Sequence, residues 1–183
     1  MNNTPLNALL LPARLTWRQL QVIRAYAAYA RQLGVSFPAN LVQQVLLSQA
    51  ELARTLMALF DSRFNPQLAG TVLGAHDTVR TALVQQVKDS LTEQLRGVQD
   101  ATEDKVVRMF ANFISVTLRT NYFQRPDDAR GLSFKFQCDQ VELMPEPRPL
   151  YEIWVYDPRI EGIHLRGGKV ARGGLRWSDR LDD

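Results

Sequence analysis

The hydrophobic period changes once along this chain, and that change constrains the fold more than any other feature. Up to about Thr120, apolar residues recur three and four positions apart, which predicts helices that each bury one face. After Gly131 they recur at every second position, as in Leu132, Phe134 and Phe136, which predicts strands. The sequence therefore predicts an α+β protein in which about five helices precede a few strands.

Start and stop signals divide the helical part. Gly34 is expected to end the first helix in the left-handed region, and Pro38 suits the first position of the second helix. Three pairs have the spacing of a capping box, in which the two side chains bond each other's backbone N–H groups: Thr16 and Gln19, Ser48 and Glu51, Asp100 and Glu103. We therefore expect helices to start after Thr16, Ser48 and Asp100.

Two long apolar stripes mark the fourth and fifth helices. The first comprises Val79, Leu83, Val87, Leu91 and Leu95. The second comprises Val106, Phe110, Phe113 and Thr117, widened by Val107, Ile114 and Leu118. The stripes predict an antiparallel hairpin that turns at Gly97–Asp100, with its apolar faces in the core or in a subunit interface.

Three segments after residue 131 have the pattern of strands: Leu132–Gln137, Tyr151–Tyr156 and Ile160–Leu165. We place a boundary at residue 120, with a helical segment over 1–120 and a β part over 121–183. Residues 166–183 are too polar and too rich in glycine to complete the core of this sheet. The chain is therefore expected to be a piece of a longer polypeptide.

Composition excludes several classes of protein. With 183 residues, 45% of them hydrophobic and 22% charged, the chain is long and apolar enough to fold. Its single cysteine, Cys138, rules out a disulfide within the chain. The sequence has neither a run of 18 apolar residues nor a secretory leader at its start, so we expect a cytoplasmic location and no membrane contact.

Residues suited to metal binding or nucleophilic catalysis are few. His76, His164 and Cys138 are the only imidazoles and thiol, and their spacing predicts no metal site. Cys138 lies in a strand pattern and is expected to be a small buried residue. A structural role is favoured for His164, and a role at the edge of a pocket stays open.

Glycines near the end of the chain do not form a nucleotide-binding loop. Gly168 and Gly173 have the Walker spacing, but Gly174 and Leu175 follow where Lys-Ser/Thr is required. The chain also contains no G-x-G-x-x-G between a strand and a helix. We therefore expect no cofactor-binding residue in this chain.

A basic segment is the strongest candidate for a binding site. Residues 159–176 contain five basic residues and one acidic residue, an excess larger than the net charge of +3 for the whole chain. Within it two arginines flank a pair of glycines, a composition that suits a small dianion, although a solvated loop is equally common. The residues expected to bind the anion are Lys169, Arg172, Gly173, Gly174 and Arg176.

Residues 166–180, RGGKVARGGLRWSDR, closely resemble the substrate-loop signature of the large-subunit class of NAD-dependent glutamate dehydrogenases. Residues 151–165, YEIWVYDPRIEGIHL, resemble the strands that enter the catalytic domain of that family. The helical segment before that domain is similar to residues 15–34, LTWRQLQVIRAYAAYARQLG, and 51–66, ELARTLMALFDSRFNP. The resemblance covers nearly the whole chain.

The resemblance implies roles for four residues of the basic segment. Smaller glutamate dehydrogenases carry a Lys-Gly-Gly-x-Arg element whose lysine meets a substrate carboxylate. Arg172 takes the place of that lysine, Gly173 and Gly174 follow, and Arg176 matches the arginine. The catalytic lysine and acid of the family and its NAD domain correspond to sequence beyond Asp183. No catalytic residue is therefore expected here, and the chain alone is expected to be inactive.

The favoured interpretation is a fragment of an NAD-dependent glutamate dehydrogenase. The parent enzyme would convert L-glutamate, NAD and water into 2-oxoglutarate, ammonia and NADH, and would be a homo-oligomer. One alternative is a non-catalytic helical module for oligomerisation or interaction. Another is an Arg/Gly-rich tail that binds nucleic acid with help from Trp177, which is disfavoured because acidic residues lie beside it.

Overall fold

The computed structural model describes residues 5–35, 37–38, 40–69, 76–124 and 131–168. Within these ranges five α-helices precede four β-strands, which confirms the predicted α+β class and the order of the two parts. The helices are α1 (Trp17–Gln32), α2 (Leu41–Ser48), α3 (Ala50–Phe64), α4 (His76–Arg96) and α5 (Ala101–Val116). The strands are β1 (Thr117–Thr120), β2 (Leu132–Gln137), β3 (Tyr151–Asp157) and β4 (Ile160–Arg166).

The predicted signals at the two ends of α1 are confirmed. The backbone N–H of Gln19 donates to the Thr16 hydroxyl at 3.1 Å. The backbone N–H of Thr16 donates to the Gln19 side chain at 3.0 Å, which completes a capping box. After the helix, Gly34 has a φ of +76°, a conformation that glycine adopts without the steric cost that a Cβ brings.

Two of the other predicted helix starts are wrong. The second helix begins at Leu41 with Asn40 as its N-cap, because the carbonyl of Pro38 first accepts the Leu41 N–H in a preceding turn. Ser48 is the last residue of α2, and its hydroxyl donates back to the carbonyl of Val45 instead of capping α3.

The start of α5 follows half of its prediction. The Asp100 side chain accepts the backbone N–H groups of Thr102 and Glu103, so it is the N-cap. The Glu103 carboxylate does not return to Asp100. It accepts hydrogen bonds from Ser48 and Gln49, each at 2.7 Å, and so joins α5 to the junction of α2 and α3.

The predicted hairpin of the fourth and fifth helices is also wrong, because α4 packs antiparallel along α3. The Thr55 hydroxyl bonds the Gln94 side chain at one end of this pair. Arg80 donates to the carbonyls of Ser62 and Asn65 at the other end, at 3.0 and 2.9 Å. The apolar face of α5 is instead occupied by α3, β2 and the aromatic residues of α1.

The four strands form an antiparallel sheet in the order β1-β2-β3-β4. The three predicted strands are confirmed as β2, β3 and β4. β1 was not predicted, since Thr117 and Leu118 continue the apolar pattern of α5. The helix ends at Val116, and Thr117 pairs with Phe136 of β2. β-branched residues such as Thr117 and Thr120 suit a pleated strand. The backbone N–H of Thr117 donates to the carbonyl of Phe113, and its own carbonyl accepts from Arg63 at 2.9 Å.

One hydrophobic core joins the helices to the sheet. Tyr29 of α1 stacks on Phe136 of β2 with 4.2 Å between ring centroids, and Tyr26 lies 4.9 Å from Phe134. The indole N–H of Trp154 donates to the carbonyl of Ala25 at 3.0 Å. α1 therefore fixes the inner face of β2 and β3, and through them the path of β4.

Candidate functional site

The five residues predicted to bind an anion, Lys169, Arg172, Gly173, Gly174 and Arg176, lie outside the described residues. The structure does describe the strand that leads to them. β4 ends at Arg166, and Gly167 and Gly168 form a bend directly after it. The described chain therefore leaves the sheet at the end of β4, directly before residue 169.

Three strands contribute side chains to this end of the sheet. Gln137 at the end of β2 pairs with Tyr151 at the start of β3, and Tyr151 pairs with Arg166 of β4. The ammonium of Lys135 lies 4.0 Å from the centre of the Tyr151 ring, a cation–π contact. The end of β4 thus lies beside the cationic groups of Lys135 and Arg166 and the ring of Tyr151. This positive charge favours an anion near this end of the sheet.

The face of the sheet that points away from the helices extends this positive charge. Arg119, Lys135, Ile153 and His164 occupy one row across the four strands, and Arg119 and His164 are exposed. On this face the two neighbouring rows, Ser133–Val155–Gly162 and Gln137–Tyr151–Arg166, contain no acidic residue either. His164 therefore lies on an exposed basic surface rather than in the core.

Buried polar contacts between α1 and β3 support the strand from the other face. The hydroxyl of Tyr29 donates to the carboxylate of Glu152, and both side chains are buried. Sequence reasoning missed this pair. The available signal was the alternation in Tyr151–Tyr156, which places Glu152 on the same face as the apolar Trp154.

A second unpredicted feature is a cleft of about 500 Å³ near the start of α1. Asp61 of α3 lies in its wall and accepts a hydrogen bond from the Gln19 amide at 3.1 Å. Burial raises the pKa of Asp61, and the bond from Gln19 partly opposes that shift.

The described ranges contain no group of three His, Cys, Asp or Glu residues able to hold a metal ion. Cys138 follows β2 and is buried, as the strand pattern predicts. None of the described helices combines the length and the hydropathy needed to cross a membrane.

Two family models match this chain. Residues 90–183 match the model described as bacterial NAD-glutamate dehydrogenase, catalytic domain. Residues 1–66 match the model described as glutamate dehydrogenase, helical motif 3. The first match includes α5, the whole sheet and the predicted anion-binding residues.

Similar proteins from three bacteria carry the name NAD-specific glutamate dehydrogenase. The protein of Pseudomonas aeruginosa is 40% identical over 99% of this chain, and that of Halomonas elongata is 40% identical over 100% of it. The protein of Mycobacterium tuberculosis is 41% identical over 97% of this chain. The chain spans 11% of the length of each of these relatives. The chain therefore belongs to the family of bacterial NAD-glutamate dehydrogenases.

Proposed function

We propose that this chain is part of an NAD-dependent glutamate dehydrogenase and supplies groups that bind the substrate carboxylates. The parent enzyme would oxidise L-glutamate with NAD and water to 2-oxoglutarate, ammonia and NADH. The observation that carries the proposal is the similarity, over almost the whole chain, to proteins with that name. Arg166 at the end of β4 and Lys135 beside Tyr151 support it, because the chain continues from this end of β4 directly into residue 169.

The five predicted anion-binding residues have distinct roles in this proposal. Arg172 holds one carboxylate of glutamate through a bidentate, charge-assisted contact. Gly173 and Gly174 let the backbone approach the substrate because neither carries a Cβ. Arg176 and Lys169 add positive charge around the second carboxylate. Both carboxylates are thereby oriented while proton transfer and oxidation proceed at the α-carbon.

NAD would accept the hydride, but the described residues do not form a site for it. Dinucleotides bind where the carboxyl ends of parallel strands meet helix N-termini. The described sheet is entirely antiparallel, and its strands follow each other without crossover helices. We therefore assign NAD to another part of the parent enzyme and expect the isolated chain to be inactive.

The test is replacement of Arg172 by alanine in a complete enzyme that carries this segment. Loss of a bidentate charged contact is expected to lower kcat/KM for glutamate by an amount that corresponds to about 2–4 kcal/mol of transition-state stabilisation, with NAD affinity nearly unchanged. Arg172→Lys is expected to restore only part of the activity, because a point charge replaces a planar fork. Steady-state kinetics with each substrate varied in turn would measure both effects.

Arg159→Ala is the matched control. Arg159 is an exposed arginine before β4 whose side chain and backbone N–H bond Asp157, so its loss is expected to leave glutamate kinetics unchanged. Glutamate kinetics within about twofold of the parent for Arg172→Ala would exclude Arg172 as a substrate ligand. Equal losses of activity and thermal stability would indicate a structural pairing of Arg172, for example with Asp179.

A homo-oligomeric parent enzyme remains a prediction, and so does the alternative of a purely structural helical module. The observation that favours subunit contact is α4, on which Val79 is 48% exposed although it belongs to the apolar stripe. Sedimentation of the parent enzyme would show whether it is a homo-oligomer.

We also propose a cytoplasmic location for the parent enzyme and a boundary at residue 120 between the helical segment and the β part.

A further inference from the structure

An apolar cavity of about 260 Å³ lies between α1 and α2, apart from the end of the sheet that precedes the anion-binding residues. Leu6, Ala27, Phe37 and Val42 contribute to its apolar wall. These side chains are only partly buried, so the space between them is incompletely filled. Concave apolar sites with a few fixed polar groups are typical binding sites for small molecules.

A buried guanidinium forms part of the cavity wall. Arg24 of α1 is 5% exposed, and its guanidinium lies 4.6 Å from the centre of the Trp17 ring. It also donates a hydrogen bond to the side chain of Asn7. These contacts hold the cationic group in one position, so a ligand does not have to order it.

Among the described residues, three further polar side chains line the cavity, those of Arg31, Gln43 and Tyr156. Tyr156 of β3 is half-buried and lines the same cavity as Arg24. Arg31 is exposed and already forms an ion pair with Glu161 at 3.0 Å. The cavity therefore offers a buried cation, a hydroxyl and the amide of Gln43 to a ligand, together with a large apolar surface.

We propose that this cavity binds a small aliphatic monocarboxylate. The carboxylate contacts the Arg24 guanidinium and the Tyr156 hydroxyl, and the hydrocarbon chain lies against the apolar wall. Glutamate is a poor ligand here, because its second carboxylate and its ammonium would be placed against apolar groups. None of the described residues that line this cavity belongs to the basic segment 159–176, so a failure of this proposal would leave the proposed dehydrogenase function unaffected.

The experiment is a titration of the full chain with hexanoate, followed by amide NMR spectra. The expected result is a saturable shift of the Trp17 indole N–H, assigned with Trp17→Phe, and of backbone amides around Ala27. Loss of the charged hydrogen bonds is expected to make 1-hexanol bind at least about tenfold more weakly. Butanoate is also expected to bind about tenfold more weakly, because two fewer methylenes are buried.

Three variants locate the site. Ala27→Phe fills the cavity and Arg24→Gln removes its charge, and each is expected to weaken hexanoate binding at least about tenfold. Arg18→Gln is the matched control, because Arg18 lies on the same helix and its guanidinium lies 4.7 Å from the centre of the Tyr122 ring, outside the cavity. Arg18→Gln is expected to bind hexanoate within about twofold of wild type.

Several results would overturn the proposal: no saturable shift in the wild-type chain, equal binding of hexanoate and 1-hexanol, or unchanged binding in Ala27→Phe. Circular dichroism would establish that each variant is folded. If Arg24→Gln does not fold, Val42→Phe fills the cavity from α2 and takes its place. Full hexanoate binding by a folded Val42→Phe would then contradict the site.

Discussion

Helices α1 and α4 carry similar sequence patterns but lie in very different surroundings. In α1, ten of sixteen residues are buried, and its tyrosines contact both α5 and the sheet. In the longer α4 the stripe is covered only near its end, where Leu91 and Leu95 are buried, whereas Val79 near its start is exposed. The apolar stripe of a helix thus identifies which face turns inward but does not determine how much of that face is covered.

Contacts on more than one side explain the difference. α1 lies against the inner face of β2 and β3 and against α5, so its neighbours exclude water along most of its length. α4 has one extensive contact, with α3. We infer that the stability of this chain is concentrated around α1 and that α4 contributes through its last two turns.

The largest expected effect comes from removing a core ring that contacts α1. Trp154→Ala is expected to lower the free energy of unfolding by about 3–5 kcal/mol, because Trp154 is fully buried and packs against Tyr29. Val79→Ala on α4 is expected to change it by less than about 0.5 kcal/mol. Urea denaturation followed by circular dichroism would measure both. Comparable losses would contradict the contrast between the two helices.

A smaller effect is expected from single hydroxyl groups of α1. Tyr29→Phe removes the donor to the buried Glu152 carboxylate and is expected to cost about 1.5–3 kcal/mol. Tyr26→Phe is the matched control, because Tyr26 is equally buried but bonds the neutral Thr117 hydroxyl at 2.9 Å, and it is expected to cost about 1 kcal/mol. A Tyr29→Phe variant no less stable than Tyr26→Phe would show that the bond to Glu152 contributes no more than a neutral one.

Local signals predicted the fold where a single residue decides the backbone, as at Gly34 and Thr16. They failed where a distant partner decides. Ser48 and Thr16 have the same spacing to Gln or Glu, but Ser48 lies inside α2 and bonds Val45 and Glu103. Nothing local to residue 48 distinguishes the two cases.

The same limit applies to the candidate site. Its basic and glycine residues were recognisable from composition and resemblance, since they form one contiguous segment. The surfaces assembled from separate segments were not predictable. Arg119, Lys135 and His164 share a row only because of the strand register, and Arg24 lines a cavity only because α2 and β3 approach α1.

The smallest expected effect is on the pH dependence of stability. It concerns the start of α1, where the Gln19 amide donates a hydrogen bond to Asp61. Burial raises the pKa of Asp61 above its ordinary value of 3.8, so the folded chain holds this proton more tightly than the unfolded chain. The stability associated with Asp61 is therefore fully present below pH 3.8 and is lost as the pH rises through the raised folded pKa. Asp61→Asn removes this loss while keeping an oxygen that accepts the Gln19 hydrogen bond. The variant is expected to be slightly more stable than wild type at neutral pH and nearly equal to it in acid.

Asp139→Asn is the control, because Asp139 also accepts a hydrogen bond from a glutamine, Gln137, but is exposed. Thermal denaturation between about pH 3 and pH 7 would measure the difference in stability between each variant and wild type. A difference between Asp61→Asn and wild type that does not change with pH would mean that burial of this carboxyl carries no cost.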